Sequence, residues 1–377
     1  MTGHPHDAAA AEVLRLGTAY QASRALHVAA RLGLADLLGD GPRSAEELAA
    51  AAGVHAPSLR RLLRALAAFA VFAEQADGRF GLGPLGRCLR ADAPGSVRDL
   101  VAMWGDADHW QTWGALEHSV RTGESASQHL FGVENVFVRY AVDGRLGAVF
   151  NAGMTALSAT VAAAVVATHD FRGARRIVDV AGGQGRLLAE VLRAHPEARG
   201  VLLDLPAVVA GAPSLLAAAG VADRCEVAGG DMFAAVPAGG DLYLLKSIVH
   251  DWDDERAVAI LSNCRRAMGS GARLLLVERV LPERIEPVPQ AQPLVLSDLN
   301  MLVRLSGRER TAEEFGTLLG AAGLRLLHVV PTGTPFSLIE ASPASDADGT
   351  VALADRPHAA ATRQGDPLPV FGAGPDG

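Results

Sequence analysis

The chain has 377 residues, 49% apolar and 20% charged, about 2.5 typical domains and enough apolar mass for a sizeable core. Its 41 glycines and 20 prolines are too few for a fibrous or wholly disordered chain. A net charge of −8, from 34 basic and 42 acidic residues, argues against a global grip on nucleic acid, and three scattered cysteines, Cys88, Cys225 and Cys264, exclude a disulfide framework and a CxxC zinc site.

The first ten residues carry His and Asp but no apolar stretch, so no signal peptide is expected. No apolar run approaches ~18 residues, so no membrane span is expected either. A cytoplasmic protein follows. From residue 11 to about 90 the pattern is helical: Leu14, Leu16, Tyr20, Ala25, Leu26, Ala29, Leu32 and Leu34 keep a period near 3.6. Ser44-Ala45-Glu46-Glu47 forms a capping box, and Gly53 ends the helix it opens. A second helix is predicted over 59–69, then a small hairpin turning at Asp77-Gly78. Helix, helix and hairpin make a winged-helix unit within residues 11–100. One reading puts Arg60, Arg61 and Arg64 on DNA phosphates. The other, favoured in so acidic a chain, is a structural or dimerising module with a solvated arginine face.

Residues 101–170 read as a helical linker. They hold most of the aromatics, including Trp104, Trp110, Trp113, Phe137, Tyr140 and Phe150. These residues are either plain packing or the wall of a pocket for a flat substrate, to which Asn151 and Met154 would add. From residue 171 the rhythm changes. Short β-branched or leucine-rich runs at 177–180, 201–203, 225–227, 242–245, 274–277, 324–330 and 336–339 alternate with helical stretches. That alternation predicts a mostly parallel, doubly wound α/β sheet over residues 171–341. Residues 342–377 lack periodicity and read as a disordered tail.

The chemistry-bearing residues cluster after the strands. The first run leads into Asp179-Val180-Ala181-Gly182-Gly183-Gln184-Gly185 and then a helix. Such glycines let a ligand approach the backbone and a helix N-terminus. Leu188 occupies the third glycine position of the dinucleotide fingerprint, which is therefore incomplete. Asp204, ending the second run, can accept two ribose hydroxyls. The pair fits a nicotinamide, a flavin or S-adenosylmethionine. Acidic Asp179, with no basic residue at the turn to meet a pyrophosphate, favours the sulfonium cofactor. Asp231 and Met232 follow the third run and offer an acceptor and an apolar face for adenine, although Asp231 also suits a turn. The fourth run ends in Lys246, the single lysine in a chain whose other 33 basic residues are arginine. His250-Asp251-Trp252 comes next. An imidazole with an ordinary pKa near ~6.5 suits a general base. Asp253, Asp254 and Glu255 fit the first turn of a helix better than a metal site.

Taken together, these motifs and Arg308-Glu309-Arg310-Thr311 resemble the S-adenosylmethionine-dependent O-methyltransferases of the plant caffeate and flavonoid type and their bacterial natural-product relatives, over residues 11–341. The resemblance implies a winged-helix dimerisation domain, a Rossmann-like seven-stranded catalytic domain and a homodimer. It implies His250 as the base toward a phenolic hydroxyl, with Glu278 and Glu309 flanking it. It implies Asp179, Ala181, Gly183, Asp204, Asp231, Met232 and Lys246 at the cofactor, and Trp104, Met154, Asp251 and Met301 at a small aromatic acceptor. Ala181 departs from the family's glycine and can contribute only backbone. The cofactor leaves as S-adenosylhomocysteine, and no metal, nucleic acid or membrane partner is implied. The competing readings are N-methylation or another S-adenosylmethionine-assisted reaction, and a winged-helix regulator that senses a ligand.

Overall fold

The computed structural model describes residues 5–344. Its first segment follows the predicted periodicity. A long helix, Pro5–Arg31, is followed by Ala45–Ala52, Ala56–Ala67 and an antiparallel hairpin of β1 (Phe72–Glu74) and β2 (Phe80–Leu82). The capping box forms as written: Ser44 Oγ accepts from Glu47 N at 3.1 Å, and Glu47 Oε2 accepts from Ser44 N at 2.7 Å. Gly53 closes that helix at φ 67°, a left-handed turn for which glycine is the least strained residue. Leu34, Leu48, Leu63, Phe72 and Phe80 are buried in one core. Arg60 and Arg64 are engaged by Glu46 at 3.2 Å and Glu74 at 3.1 Å. Two of the three arginines of that face are thus tied into intramolecular ion pairs.

Six helices follow, ending in Gly144–Thr168. That last helix corrects the expectation that nothing here is long and apolar enough to span a bilayer, since its best window reaches a mean hydropathy of 1.7. The apolarity has a local use. The helix packs on Arg98–Trp104 and Arg186–Ala194, where Gly153 lets Met103 approach, and its remaining face walls the main cavity.

The second half builds a seven-stranded sheet from β3 (Arg176–Val180), β4 (Arg199–Asp204), β5 (Cys225–Gly229), β6 (Leu242–Lys246) and β7 (Arg273–Glu278), completed after a short pair, β8 (Val280–Leu281) and β9 (Arg310–Thr311), by β10 (Leu324–Pro331) and β11 (Ser337–Pro343). The order is β10-β11-β7-β6-β3-β4-β5, parallel except for β11. β3 is flanked by β4 and β6, so the chain reverses its direction of winding there and opens a crevice at the strands' carboxyl ends. Both sheet faces are covered by helices, so β6 reads as a continuous apolar run up to Lys246, and β3 as an apolar run broken only by buried Asp179. Ser342 and Pro343 belong to β11, so the segment expected to be a tail begins inside the sheet. Residues 345–377 lie outside the described residues.

Candidate active site

The carboxyl ends of β3 and β6 each terminate in a non-glycine residue with left-handed backbone, Ala181 at φ 54° and Ser247 at φ 56°. Such strain persists where the surroundings over-determine it, often beside a ligand site. Both residues border a cavity of about 610 Å³. Gly182 is required there, because a Cβ would fall 2.4 Å from the Asp179 carboxyl. Gly183 donates its N–H to Asp204 Oδ2 at 2.7 Å, and Leu205 N donates to Asp204 Oδ1 at 2.7 Å. Each carboxylate oxygen keeps a lone pair toward the cavity. Asp231 Oδ1 accepts from Phe233 N at 2.9 Å, so it fills the turn role and also lines the cavity.

Asp179, Ala181, Gly183, Asp204, Asp231, Met232 and Lys246 all line this one space, as do Met154 and Asp251. Burial pushes the Asp179 carboxyl up to about 7, only partly offset by Lys246, and Asp179 Oδ2 has no hydrogen-bond partner. An orphaned, buried carboxylate oxygen at the end of β3 fits a cationic ligand group. Burial lowers Lys246 to about 8 against the pull of Glu278 and Asp179. The donor set therefore fits an aminoacyl-nucleoside bearing a positive charge.

His250 lies on the short turn Val249–Asp251 after β6 and is only 5% exposed. Its Nδ1 lies 2.9 Å from Glu309 Oε1 and 3.6 Å from Glu278 Oε2, and its Nε2 lies 3.3 Å from Asp251 Oδ1. The two glutamates divide the work. Glu278 Oε1 accepts from Ile248 N at 2.9 Å and Val249 N at 2.8 Å, anchoring the turn's backbone. Glu309 holds the ring and also accepts from Ser297 Oγ at 2.6 Å. Burial opposes a charged imidazole, but Glu309, Glu278 and Asp251 outweigh it and hold His250 up at about 9. Burial likewise raises Asp251 to about 7. The ligand atoms of His250, Glu278 and Glu309 lie within 4.8 Å of one another and could group around an ion. The donors in place on these glutamates all reach their Oε1 atoms, and Oε2 of each has no hydrogen-bond partner.

Three residues that complete this cluster have no role assigned by the sequence, although Arg310 stands within the Arg308-Glu309-Arg310-Thr311 motif. Arg310, fully buried, donates to Val249 O at 3.1 Å, Trp252 O at 2.8 Å and Asp254 Oδ1 at 2.7 Å, clamping the His250 turn from behind. Arg279 lies over the Phe336 ring at 4.3 Å, with its Nη1 3.8 Å from Glu309 Oε1. Ser297 is the third. Their contacts span long stretches of chain, so no local pattern marks these roles. Asp253 caps the following helix through Arg256 N at 2.9 Å, as its acidic first turn predicts.

Two expected acceptor contacts are corrected. Trp104 is 48% exposed on the helix Arg98–Trp104 and does not line the cavity. Met301 is buried behind it with Val136 and Leu305, against the backs of Phe137 and Tyr140. Trp110 is also exposed, and Trp113 donates Nε1–H to Asn300 Oδ1 at 3.0 Å. The aromatic wall is instead Phe137, Tyr140, Phe150, Phe233 and Trp252. His250 does not itself line the cavity; its Nε2 meets the wall residue Asp251.

Residues 113–325 match the O-methyltransferase domain family, and residues 14–92 match the O-methyltransferase dimerisation domain. The phenazine O-methyltransferase PhzM of Lysobacter antibioticus is 44% identical over 331 residues, covering 88% of this chain and 95% of that protein. The 8-amino-8-demethylriboflavin N,N-dimethyltransferase of Streptomyces davaonensis is 36% identical over 343 residues, 90% of this chain and 97% of that protein. Human N-acetylserotonin methyltransferase, solved in complex with S-adenosylmethionine, aligns with a TM-score of 0.83 at 25% identity, covering 91% of this chain and 100% of that one.

Proposed function

The chain belongs to the O-methyltransferase family that carries its own dimerisation domain and is an S-adenosylmethionine-dependent methyltransferase; from that premise we propose that it methylates a phenolic or enolic hydroxyl of a small aromatic secondary metabolite, with His250 as general base. The observation that carries this reading is the buried His250–Glu309 pair at 2.9 Å, set one residue from the cavity wall beside the glycine-rich turn.

When bound, the cofactor supplies an electrophilic methyl group on a sulfonium. Asp204 would take the ribose hydroxyls, Asp231 and Met232 the adenine, and Asp179 the cationic end, with Lys246 as a further contact. Ala181 and Gly183 would contribute backbone. On the acceptor side, Met154 and the aromatic wall hold the ring flat and aim its oxygen. A neutral phenol, with a pKa near ~10, attacks poorly at neutral pH. Glu309 takes the Nδ1–H of His250, leaving Nε2 as the nitrogen that receives the acceptor's proton past Asp251. The three carboxylates hold the imidazole protonated at neutral pH, and a base must be neutral. His250 loses proton affinity beside a cation, so it becomes competent in the loaded site. Base assistance contributes about 10²–10⁴-fold, and alignment of acceptor oxygen and methyl supplies much of the rest.

We also assign a homodimer. Leu14, Leu16 and Tyr20 on the first helix are each more than half exposed, inside the segment that matches the dimerisation domain. N-methylation stands as the second reading, because the dimethyltransferase relative acts on an amine. The regulator reading is weakened by the Arg60–Glu46 and Arg64–Glu74 pairs.

The test is turnover of S-adenosylmethionine with a panel of phenols and anilines, followed as S-adenosylhomocysteine release. His250→Ala should lower turnover on phenols by roughly 10²-fold or more with cofactor affinity nearly intact. Normal turnover by that variant removes the base assignment, and turnover confined to anilines moves the reading to nitrogen.

A further inference from the structure

The charges around the cavity are unequally shared. Asp179, Asp204, Asp231 and Asp251 line it against Arg186 and Lys246 alone. Both cations stand on the cofactor side, Lys246 at the end of β6 and Arg186 at the start of the helix after the glycine turn, where it is paired with Glu190 at 2.9 Å. The opposite side is aromatic apart from Asp251. Tyr140 stacks on Phe150 at 4.7 Å, and Phe137 meets Phe150 at 5.8 Å and Trp252 at 5.9 Å.

Two arginines lie just behind this wall, and Asp108 occupies both. Arg304 donates to Asp108 Oδ2 at 3.1 Å, to Thr112 Oγ1 at 3.1 Å and to the Tyr140 hydroxyl. Arg139 donates to Asp108 Oδ1 at 2.9 Å. Among the described residues that line the acceptor side, then, the one ionisable carboxyl or cation is Asp251.

We propose that the acceptor is an uncharged, flat aromatic hydroxy compound and that aromatic acids bearing a carboxylate are turned away by charge. This deepens, and rests on, the reading of the cavity as a methyl-acceptor site. A carboxylate entering it would give up its water with no unmatched cation to replace it, because Lys246 is already drawn to Glu278, Asp179 and Asp251 and His250 to Glu309, Glu278 and Asp251. It would also meet Asp251. The raised carboxyls of Asp179 and Asp251, both pushed to about 7 by burial, show that the cavity already holds its own negative charge reluctantly. Specificity here comes from a repulsive element as much as from the ring contacts. The same excess of acids suits a cofactor with net positive charge.

The experiment uses the full chain with S-adenosylhomocysteine bound and matched pairs of acceptors, such as a hydroxynaphthalene and the corresponding hydroxynaphthoic acid. Binding is read by calorimetry and transfer by turnover with S-adenosylmethionine. The neutral member of each pair should bind at least tenfold more tightly at pH 8 and low salt, with the gap narrowing as salt is raised. Thr155 lines the cavity one residue after Met154 on the helix Gly144–Thr168, and Thr155→Lys, which adds a cation to the lining, should shrink or invert the gap. Acids that bind as well as or better than their neutral partners overturn the proposal, as does failure of the neutral members to bind at all. If neutral members bind selectively but none is methylated, the charge filter stands and the transfer reading falls. If both members are methylated equally, the filter falls and the transfer reading stands.

Discussion

Glu309→Gln isolates the charge that governs His250. Glutamine keeps the shape and can still accept the Nδ1–H across the 2.9 Å contact with His250, and the Ser297 hydroxyl at 2.6 Å. Only the negative charge is lost. At an effective dielectric of about 20, unit charges ~4 Å apart interact by ~4 kcal/mol, and opposite charges this close move a pKa by about 1–3 units. The imidazole, held at about 9, should therefore fall toward ~7. Arg279, 3.8 Å from the same oxygen, would be left facing His250 with less compensation and would push it further down. A histidine raised by folding contributes stability that is fully present below its unfolded value near ~6.5 and is lost as pH rises through its folded value near ~9. The stability advantage of wild type over the variant should thus be largest at pH 6 and shrink by ~1–3 kcal/mol by pH 9.5. Urea denaturation at the two pH values reads it, and NMR titration of the His250 ring reads the midpoint directly. Turnover should drop roughly 10²-fold, because the imidazolium formed during transfer loses its partner. An unchanged ring midpoint would refute the electrostatic reasoning. A lowered midpoint with full turnover would refute the base.

Three further outcomes follow from the geometry. Asp179→Asn should stabilise the protein by ~1–3 kcal/mol at pH 8, where the buried carboxyl at about 7 is mostly charged, and the gain should vanish near pH 4, where both side chains are neutral; equal gains at both pH values in urea titrations would show that burial of charge is not the cause. Lys246→Arg should weaken S-adenosylhomocysteine binding about tenfold by calorimetry, since a guanidinium is larger and more rigid than the ammonium seated beside Ser247 Oγ at 3.2 Å; unchanged affinity makes the lone lysine a coincidence. Gly307→Ala places a Cβ 1.9 Å from His250 O and 2.4 Å from Asp251 C, so the turn must move; turnover should fall at least tenfold with ~1–3 kcal/mol of destabilisation, and wild-type turnover would mean that the turn tolerates the shift.

The order of elements was legible in the chain because the strands are short, largely apolar runs, three of them closed by a charged residue: Leu203 before Asp204, Leu245 before Lys246, Val277 before Glu278. The capping box at Ser44 formed as read because its hydrogen bonds are local, and a second one forms at Thr311 on the same local terms. The cofactor candidates were legible for the same reason, since in a parallel sheet every strand ends on the same rim. The acceptor wall was less so. A tryptophan at 104 and one at 252 look alike in composition, yet the first faces outward and the second lines the cavity.

By itself, then, the sequence determined the parallel sheet, the rim on which Asp179, Asp204, Lys246 and His250 gather, and the capped helices between them, because period, strand ends and caps are near-neighbour properties. Only the tertiary structure decided which aromatics face the ligand, that Asp108 ties up the arginines behind them, and that Glu278 anchors the turn while Glu309 holds the ring. Those pairings join residues 29 to 196 positions apart, and charge and packing over such distances are settled by the folded arrangement of elements rather than by any local run of residues.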